Sequence, residues 1–140
     1  MKKYAKTLVA IAFLLGFTSV VKAESQDGVI VDMPFEFVVG ATTLPAGTYT
    51  VHNLADDTSG TLVIRSKEQG TAMFVLPYAS ESTETFKPEL SLDKVGDHYF
   101  LNTIRTAETV YRIHVSRSAL KETAAKSGGS APTSVIVGGR

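Results

Sequence analysis

The chain has 140 residues, 14 basic and 14 acidic side chains, and no cysteine. The missing cysteine excludes disulfide staples and a cysteine-linked lipid anchor. The charge balance has no basic excess, which argues against nucleic acid as a partner.

Residues 1–23 read as a secretory signal peptide. Lys2, Lys3 and Lys6 give a basic start, Leu8 to Phe17 is an apolar run broken only by Gly16, and Val21-Lys22-Ala23 offers small residues for cleavage. The run is shorter than the roughly 20 apolar residues that span a bilayer. No stable membrane anchor is therefore expected, and a periplasmic or extracellular protein is. Cleavage after Ala23 would leave 117 of the 140 residues. Lys2, Lys3, Lys6 and Lys22 would leave with no acidic residue, so ten basic side chains would face fourteen acidic ones, a net charge of −4. That balance weakens binding to anionic membranes as well as to nucleic acid. A chain of this size suits one domain, which can bury over about 60% of its unfolded surface.

The domain is expected over residues 24–126. Val29 to Val39 alternates with period two: Val29, Val31, Met33, Phe35, Phe37 and Val39 share one face. This is the pattern of a half-buried strand, and Pro34 marks it as an edge or a bulge. Leu44-Pro45-Ala46-Gly47 reads as a turn, followed by a strand over Thr48 to Leu54. Leu62 to Arg65 and Ala72 to Leu76 read as a hairpin joined by the polar Lys67 to Gly70. Tyr78 to Pro88 reads as a polar surface loop, with a strand start near Thr85 considered. Leu90 to Leu92, His98 to Thr106 and Val110 to Val115 complete the strands, with Lys94 to Asp97 as a turn.

Ser116 to Lys126 is rich in helix formers and opens on serines that can cap it. Residues 127–140 read as a flexible Gly/Ser/Pro tail carrying the apolar island Val135-Ile136-Val137. One sharper reading has that island adding a strand to an exposed sheet edge, its own or a partner's. Strands at about ten- to fifteen-residue spacing, with no long helix between them, predict an all-β fold. The expected form is an antiparallel sandwich or small partly open barrel of about seven strands with a short C-terminal helix.

The segments Pro34-Phe35-Glu36-Phe37-Val38-Val39-Gly40 and Leu44-Pro45-Ala46-Gly47-Thr48-Tyr49-Thr50-Val51 form a "PFxFxxG…LPAGxYxV" pattern. With Gly96-Asp97-His98-Tyr99-Phe100-Leu101 and the short polar helix, the chain resembles small exported β proteins of soil Acidobacteria. The resemblance covers most of the chain beyond residue 23. It implies a β fold and export, and it brings no activity with it.

Site chemistry is sparse. His52, His98 and His114 show no metal-ligand spacing, and there is no Gly-x-Ser-x-Gly elbow and no phosphate-cradling loop. Asp56-Asp57 and Asp93 with Asp97 depart from calcium-loop spacing and suit local turn bonding. Phe35, Phe37, Tyr49, Phe74, Tyr99 and Phe100 are expected in the core rather than around a ligand cavity, with Tyr111 beside them. No catalytic, cofactor-binding or metal residue is assigned, and no cofactor is expected. The reading is an exported, non-enzymatic binding or structural interaction module whose partner is an unknown protein or small molecule. Two alternatives stand beside it. One is a lipocalin-like carrier of a small apolar ligand, and the other is a hydrolase with a spatially assembled site.

Overall fold

The computed structural model describes residues 28–54, 57–84 and 87–140. The signal-peptide reading, Asp56 and the strand start near Thr85 lie outside these residues. Eleven strands and one helix follow in order among the described residues: β1 Gly28–Met33, β2 Phe37–Val39, β3 Thr42–Leu44, β4 Gly47–Asn53, β5 Leu62–Ser66, β6 Ala72–Val75, β7 Ala79–Ser82, β8 Glu89–Val95, β9 His98–Arg105, β10 Thr109–Arg112, α1 Arg117–Lys126 and β11 Thr133–Gly138.

They build two sheets. The first runs β1-β4-β5-β6, and the second runs β11-β8-β9-β10-β7, with β2 and β3 attached to it. The architecture is all-β and not a closed barrel, consistent with a sandwich. The strands outnumber the seven expected by four: one run divides into β1 and β2, and three further strands fall where none of the seven was read. β3 is nearly polar, β7 is Ala-Ser-Glu-Ser within the expected loop, and β11 lies in the expected flexible tail. Their ladders are tertiary gains that local alternation does not announce.

Pro34 does more than mark an edge. The single alternating run divides there, β1 joining β4 in the first sheet and β2 joining β3 and β9 in the second. Proline cannot donate to a ladder, so the chain changes sheet at that point. The face read from the sequence survives the break: Val29, Val31, Met33, Phe37 and Val39 are all buried. The pairing of β2 with β9, at Val38 and Phe100, is parallel, the one departure described from an antiparallel fold.

The core fills the space between the sheets. Tyr49, Val51, Leu62 and Ile64 come from the first sheet, and Leu90, Leu92, Leu101 and Ile104 from the second. At about 25 cal/mol per Å² of apolar area removed from water, such burial is the main favourable term available to a chain without disulfides. A polar bond crosses the sandwich as well, Asn53 Nδ2 donating to the buried Tyr111 hydroxyl at 2.7 Å.

α1 begins as its sequence requires. Ser116 is the N-cap and its Oγ accepts from the Ala119 amide at 3.3 Å. Its end rests against the β8–β9 turn, where Gly96 has φ +59° and a Cβ would lie 2.1 Å from Ser127 Oγ. Only glycine combines that positive φ with that lack of space.

Beyond α1, β11 pairs antiparallel with β8, Ile136 opposite Ser91 and Val137 opposite Leu90. The chain then crosses to the first sheet. Ile30 N–H donates to the Arg140 carbonyl at 2.9 Å, and Arg140 N–H returns to the Ile30 carbonyl at 2.8 Å. The last residues therefore tie the β1 edge of one sheet to the β8 side of the other.

Candidate functional site

With β1 bridged by residues 139 and 140, the other end of the first sheet carries an exposed edge. β6 pairs with β5 and ends the first sheet. Its sequence buries Val75 inward, and alternation then turns Phe74 and Leu76 outward. Phe74 is 66% and Leu76 63% exposed, and Leu54 is 41% exposed. Phe74 stands opposite Val63 in the ladder, and Leu54 bonds through its amide to Thr61 beside it. The apolar surface thus continues from the outer face of the first sheet to its edge. No charged side chain occurs from Gln69 to Ser80. Edge strands are usually guarded by charge, and this one is not.

A groove of about 320 Å³ runs beside it, lined by Val39, Thr42, Met73, Phe74, Leu76 and Ile113 among others. A second of about 250 Å³ lies between β3 and β6, where Leu44, Tyr49, Ile64 and Met73 contribute. Phe74, expected in the core, is instead an outward residue of this edge. In the strand as it forms, Val75 and not Phe74 occupies the inward phase. The other expected core aromatics divide: Phe37, Tyr49 and Phe100 are buried, and Phe35 with Tyr99 are half-buried.

Tyr49 explains the Leu-Pro-Ala-Gly-x-Tyr segment physically. Its hydroxyl reaches back to donate to the Pro45 carbonyl at 2.6 Å, and its ring meets Phe37 edge-on at 5.2 Å. Burial pushes the phenol above its ordinary pKa, with the Glu68 carboxylate adding to the effect.

Around the β4 start stands a chain of carboxylates. Glu68 accepts the Thr48 amide at 3.0 Å, and Thr48 Oγ1 donates to Asp32 at 2.8 Å. Asp32 also receives the Arg140 guanidinium. That bond, and then the Thr48 hydroxyl, hold the Asp32 carboxyl below the usual range. The Thr48 amide does the same for Glu68.

The histidines stand apart. His52 lies in β4, His98 opens β9, and His114 follows β10. Among the described residues no three His, Cys, Asp or Glu side chains converge as metal ligands. Asp57 is taken up by its own turn. The Ser59 hydroxyl, the Thr61 side and main chain and the Ser59 amide together hold its carboxyl far below the ordinary value. Asp93 accepts Asn102 Nδ2 at 2.8 Å.

A larger concavity of about 520 Å³ lies on the second sheet where α1 begins. It is lined by Tyr78, Asp93, Asn102, Arg112, His114 and Arg117, with others. Sequence reading missed it because its members come from five separate segments. Among the described residues no helix is long and apolar enough to cross a membrane. Comparison with family models, curated proteins and solved structures finds no match to this chain.

Proposed function

We propose that the protein is an exported, non-enzymatic interaction module that takes an extended, uncharged apolar segment of a partner protein against β6. The observation that carries this reading is the unguarded β6 edge, with Phe74 66% and Leu76 63% exposed. An edge strand offers a row of unpaired backbone groups for affinity. Outward side chains two residues apart offer contacts for specificity. The occupant follows from the charge pattern: twelve residues without charge, Gln69 to Ser80, give an ionic segment nothing to pair with. Export rests on the basic-then-apolar layout of residues 1–23.

The reading is preferred over a lipocalin-like carrier because large side chains fill the space between the sheets. Phe37 and Tyr49 pack edge to face there, each 1% exposed. It is preferred over a hydrolase because, among the described residues, no serine or aspartate side chain is hydrogen-bonded to His52, His98 or His114.

The test is selection from a random-peptide phage library, followed by amide-shift mapping of the enriched peptides. Enriched sequences should alternate apolar residues and shift the amides of residues 72–76. Phe74→Lys should remove binding and leave thermal stability unchanged. Selected peptides that map away from β6, or that bind the variant equally, would overturn the reading.

A further inference from the structure

The concavity beside α1 has a composition unlike the β6 edge. β7, β10, β9 and β8 run side by side, with Ala79 opposite Arg112 and Arg112 opposite Thr103. Thr103 is followed across the ladder by Ser91, and there the register shifts: Ser91 faces Thr103 but Leu92 faces Leu101. Asn102 is the extra residue of this bulge. Bulges re-aim side chains, and here the amide turns to hold Asp93 Oδ1 at 2.8 Å. The arrangement has a cost, since Asn102 Oδ1 is buried without a donor. A locally unfavourable residue on a polar concave surface points to function rather than to packing.

The surrounding groups complement one another. The fixed Asp93 carboxylate is an acceptor. Arg112 supplies a guanidinium held only loosely by Glu81, at 3.7 Å with both side chains largely exposed. Arg117, at the first turn of α1, forms no ion pair among the described residues and is exposed. Tyr78 stands at the rim with 67% of its surface open, its amide anchored on the Arg112 carbonyl at 3.0 Å. An exposed aromatic face suits the apolar face of a pyranose ring. A positioned carboxylate suits its hydroxyls, and a free guanidinium suits a carboxylate through paired hydrogen bonds. The volume, about 520 Å³, is within the usual range of ligand sites.

We infer that this concavity binds an acidic saccharide: Tyr78 stacks on a sugar ring, Asp93 accepts its hydroxyls, and Arg117 with Arg112 takes a uronate carboxylate. Asn102 is a positioning residue, acting through Asp93. This site shares Ile113 and His114 with the groove beside β6 but takes no residue from β6 itself, and it does not rest on the reading above.

The experiment titrates tetrameric oligomers of galacturonate, glucuronate and mannuronate, with cellotetraose as the neutral counterpart, into the isotope-labelled protein. At least one uronate should shift the amides of Asn102, Arg112, His114 and Arg117 while the amides of β6 stay in place. Arg117→Gln should weaken that uronate about tenfold, the worth of one charge-assisted hydrogen bond, and Arg117→Lys should recover part of the loss. Asn102→Leu should weaken binding while thermal stability holds or rises, which a purely structural residue would not do. Absence of shifts with all three uronates at millimolar concentration, equal binding of cellotetraose, or full affinity in both Arg117→Gln and Asn102→Leu would each overturn the inference. A β6 variant such as Phe74→Lys should leave the titration unchanged.

Discussion

Phe35 stacks on Tyr99 with ring centroids 3.7 Å apart and planes 12° from parallel, and Lys94 Nζ stands 5.5 Å over the Tyr99 ring. Residue 35 belongs to the Pro-Phe-x-Phe segment and residue 99 to the Gly-Asp-x-Tyr-Phe-Leu strand. Two segments over 60 residues apart thus meet face to face just where β2 bridges β9. Near-parallel rings at this separation bring two negative π faces together, and the lysine charge over Tyr99 offsets that repulsion. Alanine at both positions should show a coupling of about 0.5–1.5 kcal/mol in a double-mutant cycle by urea denaturation. Lys94→Met should lower that coupling, and equal coupling with and without the charge would show that the lysine contributes nothing.

Tyr49→Phe isolates the bond to Pro45. The substitution keeps the ring against Phe37 and removes only the hydroxyl, while the Pro45 carbonyl lies in an exposed turn where water can replace it. The loss should therefore be near the low end for a hydrogen bond, about 0.5–1.5 kcal/mol, with an unchanged denaturant slope. A fall beyond about 3 kcal/mol would mean that the turn itself comes apart.

Where alternation was long and the breaker strong, the sequence was readable. The inward face from Val29 to Val39, the β5–β6 hairpin and the Ser116-capped helix all stand as periodicity and capping require. Pro34 was legible as an interruption but not as a change of sheet, because proline states only what cannot pair there. Phe74 was placed inward because an aromatic in a short strand fits either phase, and only the register with Val63 decides. The tail was read as flexible from its glycines and serines, which describe the hinge, while the sharper reading of Val135-Ile136-Val137 as an added strand is met on the protein's own sheet, where β11 pairs with β8. The concavity at α1 was invisible for a different reason. Tyr78, Asp93, Asn102, Arg112 and Arg117 share no motif and are gathered only by the order β7-β10-β9-β8 and by the start of α1 beside it.

The Asp32–Arg140 pair gives the tail a pH dependence with a definite sign. Asp32 is held below its ordinary value of 3.8, first by the Arg140 bond and then by Thr48. A carboxyl whose folded pKa is depressed stabilises the folded form fully above its unfolded pKa. That contribution is lost as pH falls through the lower, folded value. Hydrogen exchange at Ile30 and Arg140, whose amides bond to each other's carbonyls, should therefore show constant tail protection through neutral pH. Protection should fall below about pH 4. Asp32→Asn should lower protection at neutral pH and flatten the acid limb at these two amides. A limb of the same depth in the variant would assign it to another group. Both side chains are exposed, so high salt should weaken the effect too.

Gly139 is the narrowest point of the crossing from β11 to β1. A Cβ there would lie 2.2 Å from Val29 Cγ2, 3.0 Å from the Ile30 carbonyl oxygen and 3.3 Å from that of Pro88. Val29 is a buried core side chain, and the other two neighbours are backbone, so none of the three can yield cheaply. Gly139→Val should therefore expel residues 139 and 140 from β1, breaking the paired bonds at Ile30 and the ion pair at Asp32 together. β11 keeps its own ladder to β8 and should lose protection only near Val137 and Gly138. Hydrogen exchange would read this as fast exchange at Ile30 and Arg140 with slow exchange retained at Val135. A freed β1 edge is a new template for strand pairing, so the variant should also self-associate as its concentration rises. If Val135 and Ile30 deprotect equally, β11 and the crossing form a single cooperative unit and the tail opens all at once.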